Sequence, residues 1–399
     1  MSAADNRVLI IGAGPVGLVS AVRLASMGIA CVVFEASSAL PQDLRASTFH
    51  PPTLDMLEPY GITDQLLEAG RICPSWQVRI HETHEKAEFD LSLISGETNH
   101  PYRLQCEQSK LCKFLEAAAI KSDLIELRYN SKLVDIEQHA DHVTAIVAHA
   151  GDTQKIEGRI LIGADGAKSQ VRKLLGFAFE GVTYPETTIL ATTTFPFHDH
   201  LPGLSNVNYV WTEGGTFSLL RLPNLWRCSL YRDPDESVED ATQPDAVQKK
   251  MQRIVAHDAD YDVLDLRVYR VHMRIVDTYA SGRVALAGDA AHVNSPSGGM
   301  GMNGGIHDAF ALTDEIQNIW DGAPLSRLQA YSDKRRPIAQ TQILAQADKN
   351  RNRMQEKAPN KRRQMFTDLQ QTAADPVLAK AHLMRSSMIT GLRQAEEFA

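Results

Sequence analysis

The stretch from Arg7 to Glu35 constrains the fold more than any other part of the chain. It reads RVLIIGAGPVGLVSAVRLASMGIACVVFE: an apolar β-branched run, a glycine turn, small and apolar residues at helical spacing, and a second apolar run. This order predicts a strand, a helix and a second strand parallel to the first. Such a βαβ unit belongs to a parallel sheet that is covered on both faces.

The glycines of the turn have separate physical tasks. Gly12 permits the tight turn, Gly14 lets the backbone approach a pyrophosphate, and Gly17 lets the helix pack closely on the strand. The helix N-terminus adds free N–H groups. Glu35 follows at roughly the spacing of a carboxylate that binds a ribose diol. The unit predicts a dinucleotide site, with a turn that only packs as the alternative, and does not separate NAD from FAD.

Composition narrows the class of protein. The chain has 399 residues, 43% hydrophobic and 23% charged, which predicts a globular protein with room for two domains. Its formal charge of -8 argues against nucleic-acid or anionic-membrane binding. We therefore expect neither a nucleic-acid nor a membrane partner, and we expect a monomer or a homodimer.

The cysteines and the N-terminal stretch bear on the compartment. The five cysteines are odd in number and include no Cys-x-x-Cys pair, which is typical of a reducing compartment and excludes a zinc ribbon or a disulfide framework. No metal site is predicted. The start, MSAADNRVLIIGAG, has no signal-peptide pattern, and no apolar run is long enough to span a membrane. We therefore expect a cytoplasmic protein.

Two further glycine turns follow the first one along the chain. Residues 160–172 read ILIGADGAKSQVR, a strand followed by Asp165 in a polar turn and a new helix near Ser169. Residues 283–304 read RVALAGDAAHVNSPSGGMGMNG, again a strand and then a turn. Taken singly, each Asp-Gly or Gly-Asp pair predicts only a turn. Together with the first motif, they form a specific arrangement.

In this order and spacing, the three motifs resemble the single-component (class A) flavin-dependent aromatic hydroxylases, the family of p-hydroxybenzoate hydroxylase. The resemblance covers roughly residues 7–340. It implies an α/β fold: a Rossmann-type FAD-binding domain (GR2 type) with an inserted antiparallel-sheet substrate domain and a helical C-terminal segment. We expect the parts to be as follows: a discontinuous FAD-binding domain over 1–75, 101–177 and 277–340, a substrate domain over 76–100 and 178–276, and the helical segment over 341–399.

The resemblance implies contacts to the adenosine and pyrophosphate half of FAD. Gly12, Gly14 and Gly17 would face the pyrophosphate, and Glu35 the adenosine ribose. Arg45 resembles an arginine that sits beside the cofactor phosphates in the family.

Contacts to the flavin half are implied in the same way. Asp289 would bind the ribityl chain, and Pro296 would border the flavin ring and the substrate. Backbone N–H groups around Gly301, Met302 and Asn303 would point at flavin N1 and O2, where a helix start offers fixed dipoles to a reduced, anionic flavin.

The resemblance implies a less direct relation to the cofactor at four other positions. Gln105 resembles a family glutamine that contacts the cofactor at the start of a helix. Asp165 has structural and nicotinamide-cofactor roles near the pyrophosphate in the family. Met300 stands where several relatives have a lysine, so this chain would rely more on backbone dipoles. His292 is interpreted as packing in the cofactor loop.

The reaction implied by the resemblance is monooxygenation of a small aromatic or N-heteroaromatic hydroxy compound. NADH or NADPH reduces FAD, O2 adds at flavin C4a, and the hydroperoxide transfers an oxygen atom to the ring. This chemistry belongs to the cofactor, so no metal or Ser/His/Asp constellation is required and no catalytic side chain is assigned. Residues 36–44, ASSALPQDL, have no Lys or Arg to bind a 2′-phosphate, which favours NADH.

Substrate contacts are expected on the inserted sheet. Tyr209 and Trp211 lie two residues apart on a predicted strand and so share a face, Arg221 lies on the next strand, and Pro296 borders the same space. The alternative is that the aromatics pack a core and that Arg221 or Arg227 forms a solvent-facing ion pair.

Several interpretations stay open. His50 could lie at the mouth of the site or simply begin a helix. The basic run 349–363, KNRNRMQEKAPNKRR, is typical of a solvated helix and loop rather than a partner site. Another flavoenzyme of the same fold, a halogenase or an isoprenoid-chain reductase, is the alternative function. A non-catalytic binding protein like the Rab GDP-dissociation inhibitors is a third possibility, which the retained GDAAH and GGMGMN loops disfavour.

Overall fold

The computed structural model describes residues 6–41, 46–149, 151–233 and 235–397. Its strands are β1 (Val8–Ile11), β2 (Cys31–Phe34), β3 (Thr48–Phe49), β4 (Arg71–Cys73), β5 (Ser75–Ile80), β6 (Lys86–Asp90), β7 (Arg103–Gln105), β8 (Ile125–Arg128), β9 (Lys132–Gln138), β10 (Val143–His149), β11 (Asp152–Gly158), β12 (Ile160–Gly163), β13 (Phe179–Thr193), β14 (Val207–Thr212), β15 (Gly215–Arg221), β16 (Trp226–Tyr231), β17 (Val263–Val276), β18 (Ala280–Ser281), β19 (Val284–Leu286) and β20 (His292–Val293).

The α-helices are α1 (Pro15–Ser26), α2 (Pro51–Leu57), α3 (Ile62–Ala69), α4 (Gln108–Ile120), α5 (Gln170–Leu174), α6 (Phe197–His200), α7 (Val238–Ala241), α8 (Pro244–Gln252), α9 (Met300–Trp320), α10 (Arg327–Ile338), α11 (Ala345–Gln355), α12 (Pro359–Ala374), α13 (Pro376–Ser386) and α14 (Ile389–Glu397). Short 3-10 turns cover Glu58–Tyr60, Leu91–Ile94 and Gly288–Ala290, and a π-helical turn covers Ala339–Leu344. Among the helices of the described ranges, none is long and apolar enough to cross a bilayer.

The predicted βαβ unit forms the centre of a six-stranded sheet with the order β18-β19-β12-β1-β2-β8. Strand β1 runs parallel to β2 and to β12, with Val8 opposite Cys31 and Ile160. Helix α1 packs against α4 and α9, and β11 and β10 approach the sheet at β1 and β12. Every residue of β1, β2 and β12 is buried. This burial explains why these strands are continuous apolar runs.

The predicted inserted strands form a second, eight-stranded sheet, with the order β20-β17-β13-β16-β15-β14-β5-β6. Its pairs from β17 to β14 are antiparallel, and β5 joins β14 in parallel, with Gln77 opposite Asn208. Helix α8 lies between β16 and β17 of this sheet in the sequence. The α/β fold class, with a parallel sheet and a second, mostly antiparallel sheet, is confirmed.

The C-terminal segment is helical, as predicted, and it covers the edge of the second sheet. Helix α12 packs against β6 and α13, and buried Phe366 lies in one apolar cluster with Trp76 and Trp211. The helices therefore bury one face of β5, β6 and β14.

The interpretation of the basic run as a solvated helix and loop is wrong for several of its arginines. Arg351 pairs with Glu186 of β13 and stands 3.6 Å from the centre of the Tyr184 ring. Arg362 donates a hydrogen bond of 2.8 Å to the carbonyl of Thr212. Because α11 and α12 lie on the sheet, their guanidinium groups reach its carboxylates and carbonyls.

Candidate active site

One large cavity, of about 980 Å³, is bounded by both sheets and by the C-terminal helix α11. One end is formed by the first glycine turn, Glu35 and the residues after β12. The other end is formed by side chains of the eight-stranded sheet. The loop of residues 293–302 also lines the cavity. The two glycine-rich segments, almost 300 positions apart in the sequence, thus border one space.

The three glycines of the first turn have two different roles. Gly12 and Gly17 allow close packing, whereas Gly14 leaves open space. A Cβ atom at Gly17 would lie 1.9 Å from the carbonyl oxygen of Gly12, so the helix can approach the turn only as glycine. Gly12 has φ of +103°, and its Cβ would lie 2.5 Å from the carbonyl of Ala164. Gly14 differs, because it lines the cavity and no atom lies within 4 Å of the position of its Cβ. Gly14 and Gly12 border the cavity, whereas Gly17 does not.

Glu35 lines the cavity at the end of β2. Its carboxylate accepts hydrogen bonds from the backbone N–H groups of Ala13 (3.0 Å) and Ser37 (2.9 Å). These bonds hold the carboxylate beside the glycine turn and leave acceptor capacity on both oxygens.

Asp165 borders the cavity but is used mainly as a helix cap. Its carboxylate accepts bonds from the Ser169 hydroxyl and from the backbone N–H groups of Gln170 and Val171, at 2.5 to 3.1 Å. Arg172, one turn further on, donates to the carbonyl of Ala290 at 2.9 Å. The motif therefore braces the GDAA turn, in keeping with the structural role expected for Asp165.

The second glycine-rich segment ends in a long helix that begins at the cavity. Helix α9 starts at Met300, directly after Gly299 at φ of +69°. Asp289, Pro296, Gly301 and Met302 line the cavity. The first N–H groups of a helix have no intrahelical partner. The helix thus presents donors and its positive dipole end to this part of the cavity.

Asn303 supports this helix start instead of lining the cavity. Its buried side chain donates to the carbonyls of Thr48 (2.8 Å) and Gly299 (2.7 Å) and accepts from the backbone N–H of His50 (3.0 Å). His50 immediately precedes α2, and its Nε2–H donates to the carbonyl of Gly298 at 2.9 Å. Burial lowers the pKa of His50 to about 3, with a further contribution from Arg103. Of the two interpretations, the structure favours the helix-entry histidine, since His50 does not line the cavity.

A buried ionic cluster holds the GDAAH turn. Asp308 accepts hydrogen bonds from the Arg335 guanidinium (2.8 Å), from Nε2–H of His292 (2.8 Å) and from the backbone N–H of Gly288 (3.2 Å). Arg335 and His292 lower the pKa of Asp308 to about 2, against the opposing effect of burial. His292 thus packs in the cofactor loop, as interpreted. Sequence reasoning missed Asp308 and Arg335, because neither belongs to a motif.

Gln105 does not lie at the start of a helix, where the resemblance implied it would. Gln105 is the last residue of strand β7 and does not begin a helix. Its buried side chain bonds to the hydroxyls of Ser47 and Thr48. Helix α4 begins three residues later at Gln108, and Gln108 lines the cavity. Arg45 lies outside the described residues.

The sheet end of the cavity carries polar side chains that sequence reasoning did not assign. Arg227, Ser229 and Tyr231 alternate along β16 on the face that lines the cavity, and Tyr269 of β17 joins them. Arg227 is 4% exposed, so the alternative of a solvent-facing ion pair is wrong. Burial lowers the pKa of Arg227, while the neighbouring Tyr269 counteracts this shift. Strand alternation was the available signal, because residues two apart share a face.

The three residues of the sheet that were predicted to contact the substrate have different surroundings. Tyr209 lines the cavity. Trp211 shares its face, as predicted, but packs against Phe366 and donates to the carbonyl of Arg353 at 3.1 Å. Arg221 faces away, because Leu220 beside it lines the cavity, and its guanidinium lies 5.6 Å from the Trp226 ring.

The residues fit FAD. The open position at Gly14, the carboxylate of Glu35 and the donors at the start of α9 all border one cavity, and they are groups of the kinds that the phosphates, the ribose and the flavin of FAD need.

A family model described as an FAD binding domain matches residues 5–347. The chain belongs to this family of FAD-binding aromatic monooxygenases. It is a flavin-dependent monooxygenase whose cofactor is FAD.

Two relatives illustrate the family. The chain is 34% identical over 350 residues to 6-hydroxy-3-succinoylpyridine 3-monooxygenase of Pseudomonas putida, covering 87% of this chain and 88% of the relative. It is 30% identical over 396 residues to para-nitrophenol 4-monooxygenase of a Pseudomonas species, covering 98% of this chain and 97% of the relative. Both relatives are named as monooxygenases of hydroxylated or nitro-substituted rings, which favours the hydroxylase over the halogenase, reductase and non-catalytic alternatives.

Solved structures of aromatic hydroxylases have the same fold as this chain. The crystal structure of p-nitrophenol 4-monooxygenase from Pseudomonas putida superposes with a TM-score of 0.90 at 29% identity, over 97% of this chain and 98% of the other. A ternary complex of aklavinone-11 hydroxylase with FAD and aklavinone superposes with a TM-score of 0.79 at 26% identity, over 89% and 70% of the two chains.

Proposed function

We propose that this monooxygenase hydroxylates a small aromatic or N-heteroaromatic ring that already carries a hydroxyl group, at the sheet end of the cavity. The observation that carries the proposal is the buried Arg227 beside Tyr231 and Tyr269 on the cavity wall. The two relatives point the same way, since one is named for a hydroxypyridine and the other for a nitrophenol.

Each part of the chain has a distinct task in this proposal. Bound FAD supplies two-electron redox chemistry and the activation of O2. Arg227 holds negative charge on the ring oxygen, which makes the ring electron-rich. Burial raises the pKa of Tyr231 to about 12, so its hydroxyl stays protonated and donates a hydrogen bond. The sheet and α11 exclude water from the ring.

The cofactor contacts are proposed from the cavity wall. Gly12 and Gly14 accommodate the pyrophosphate, Glu35 binds the ribose, and Gln108 takes the place expected for Gln105. The flavin end is held by Asp289, Pro296 and the backbone of Gly301 and Met302.

We also propose the domain division expected from the sequence, with one addition. The helical segment 341–399 supplies Met354 to the cavity wall, so it forms part of the substrate site. NADH as the reductant, a cytoplasmic location and a monomeric or homodimeric state complete the proposal.

The test is oxidation of NADH and NADPH in air by the purified yellow protein. Hydroxylated benzoates, phenols, pyridines and quinolines are added singly, and products are identified by mass spectrometry. We expect at least one compound to accelerate oxidation and to gain one oxygen atom. If the protein binds FAD and no compound accelerates oxidation or is oxygenated, ring hydroxylation of such compounds is refuted.

A further inference from the structure

The turn of residues 296–299 lines the cavity at its proposed flavin end. Two successive carbonyls of this turn accept hydrogen bonds from side chains outside it. His50, which precedes α2, donates to the carbonyl of Gly298 at 2.9 Å. Asn303 of α9 donates to the carbonyl of Gly299 at 2.7 Å. These two bonds hold the turn against the starts of α2 and α9.

The carbonyl before these two is held by a side chain of the C-terminal segment. Asn350 of α11 donates from Nδ2 to the carbonyl of Ser297 at 3.5 Å, the long limit of a hydrogen bond. The same amide packs on the next residue, because a Cβ at Gly298 would lie 2.6 Å from Nδ2. A side chain at position 298 would displace the amide, and the φ of +96° there also favours glycine. The amide therefore fits closely against the turn.

The orientation of the Asn350 amide follows from its other neighbours. Its Oδ1 atom accepts hydrogen bonds from Nε2 of Gln346 at 3.0 Å and from Nη2 of Arg353 at 3.4 Å. A guanidinium group can only donate, so the amide oxygen faces Arg353 and the amide nitrogen faces Ser297. Asn350 is therefore a donor to the turn, and an ionised aspartate in its place cannot make this bond.

Helix α11 is itself fixed to the eight-stranded sheet. Asp348 accepts a hydrogen bond of 2.6 Å from the hydroxyl of Tyr184 in β13. The carbonyl of Arg353 accepts one of 3.1 Å from Nε1 of Trp211 in β14. Asn350 thus links the turn at the flavin end of the cavity to a helix whose position is set by the sheet at the other end.

We propose that Asn350 is a positioning residue, which sets the place of the flavin ring relative to the face of the sheet that binds the substrate. Asn350 does not line the cavity, so it acts through the carbonyl of Ser297. The inference rests on the proposed places of the flavin, beside residues 296–299, and of the substrate, on the sheet. Reactions between two bound groups depend steeply on their separation, since a misplacement of about 1 Å can cost about 100-fold in rate.

Two substitutions separate the bond to the turn from the other bonds of the amide. Asn350→Asp keeps the shape of the side chain and the acceptor for Arg353, but it has no hydrogen to donate to Ser297. Asn350→Ala removes all of these bonds. The matched control is Asn352→Asp, which makes the same charge change two residues further along α11, where the side chain is exposed and bonds to Asp348.

The kinetic result is expected to fall on kcat and not on KM. With the ring compound that is oxygenated fastest, both Asn350 variants should lower kcat by about tenfold, which corresponds to about 1.4 kcal/mol. This is within the range for one hydrogen bond. KM for the ring compound should change less than about twofold, because the sheet face is intact. Asn352→Asp should behave as the wild type.

Three kinetic outcomes overturn the proposal. The first is a wild-type kcat in both Asn350 variants, and the second is an equal fall in Asn352→Asp. The third is a wild-type kcat in Asn350→Asp together with a low kcat in Asn350→Ala, because Asn350 would then act through Arg353 and not through the turn.

The spectrum of the bound flavin tests the inference without any substrate. Visible absorbance and fluorescence are recorded for the FAD-loaded proteins at saturating FAD. Both Asn350 variants are expected to differ from the wild type in the same direction, and Asn352→Asp is expected to match it, because only the former release the turn beside the flavin. This result supports the inference even if no compound is hydroxylated. Unchanged spectra in both Asn350 variants overturn it, whatever the outcome for the proposed function.

Discussion

Asp308 and Arg335 form an ion pair in the core, with 2.8 Å between Oδ1 and Nε and side-chain exposures of 0% and 2%. The same carboxylate holds His292 and the N–H of Gly288 at the second glycine turn. The pair thus couples the stability of the fold to the shape of the flavin end of the cavity.

Asp308→Asn is expected to destabilise the protein by about 3 to 5 kcal/mol, because the buried Arg335 loses its counter-charge. Chemical denaturation at a fixed excess of FAD measures the change. The matched control is Asp314→Asn on the same helix, whose carboxylate is 57% exposed and pairs with Arg23. The control is expected to cost less than about 1 kcal/mol. Equal free energies of unfolding for the two variants would contradict the prediction.

Two buried histidines make stability depend on pH. Burial is the largest cause that lowers the pKa values of His50 and His307 to about 3 in the folded protein. In the unfolded chain these groups titrate near about 6.5. Below that pH the unfolded state binds protons that the folded state does not, so the stabilisation present above it is lost as the pH falls. Two such groups predict a decline of about 2.7 kcal/mol per pH unit between about pH 6 and 4.

The pH prediction is checked by urea denaturation at pH values between about 7 and 4. Burial also lowers the pKa of His382 to about 3, so this residue acts in the same direction and raises the expected slope to about 4 kcal/mol per pH unit. His307→Gln should reduce the slope by about 1.4 kcal/mol per pH unit. A free energy of unfolding that stays flat over this range would show that the histidines take up protons in the folded state.

The two glycines of the first turn are expected to respond differently to alanine. Gly17→Ala places a Cβ 1.9 Å from the carbonyl of Gly12 and should destabilise the apoprotein by about 1 to 3 kcal/mol or more. Gly14→Ala meets no protein atom and has a permitted φ of -72°. It should leave the apoprotein stable and weaken FAD binding by about tenfold or more.

Thermal melting of the apoproteins and flavin titration measure the two effects of these alanine variants. Should Gly14→Ala bind FAD as tightly as the wild type, the pyrophosphate does not lie against this residue.

Arg227 and Arg221 form a matched pair on neighbouring strands that face opposite sides of the sheet. Arg227→Met is expected to lower kcat/KM by about 100- to 1000-fold with unchanged FAD content, because it removes the positive charge that stabilises the negatively charged ring oxygen. Arg221→Met should keep most of the activity. Steady-state kinetics with the ring compound that is oxygenated fastest measures kcat/KM for both variants. Equal losses in the two variants would contradict the proposed role of Arg227.

The local features of this protein were determined by its sequence alone. The βαβ unit, the start of α5 near Ser169 and the strands of the inserted sheet follow from short-range patterns. Glycine spacing, strand alternation and turn chemistry act between residues close in the chain, so they can be predicted without a tertiary structure.

Only the tertiary structure decided which side chains meet. The choice of Arg227 over Arg221 depends on which face of β16 and β15 lies against the cavity. The position of Gln108 depends on where β7 ends, and the pairing of Asp308 with Arg335 on how α9 packs against α10. The approach of Arg103 to Arg353 joins a strand to a C-terminal helix. Such contacts arise from strand register and helix packing, which no local pattern encodes.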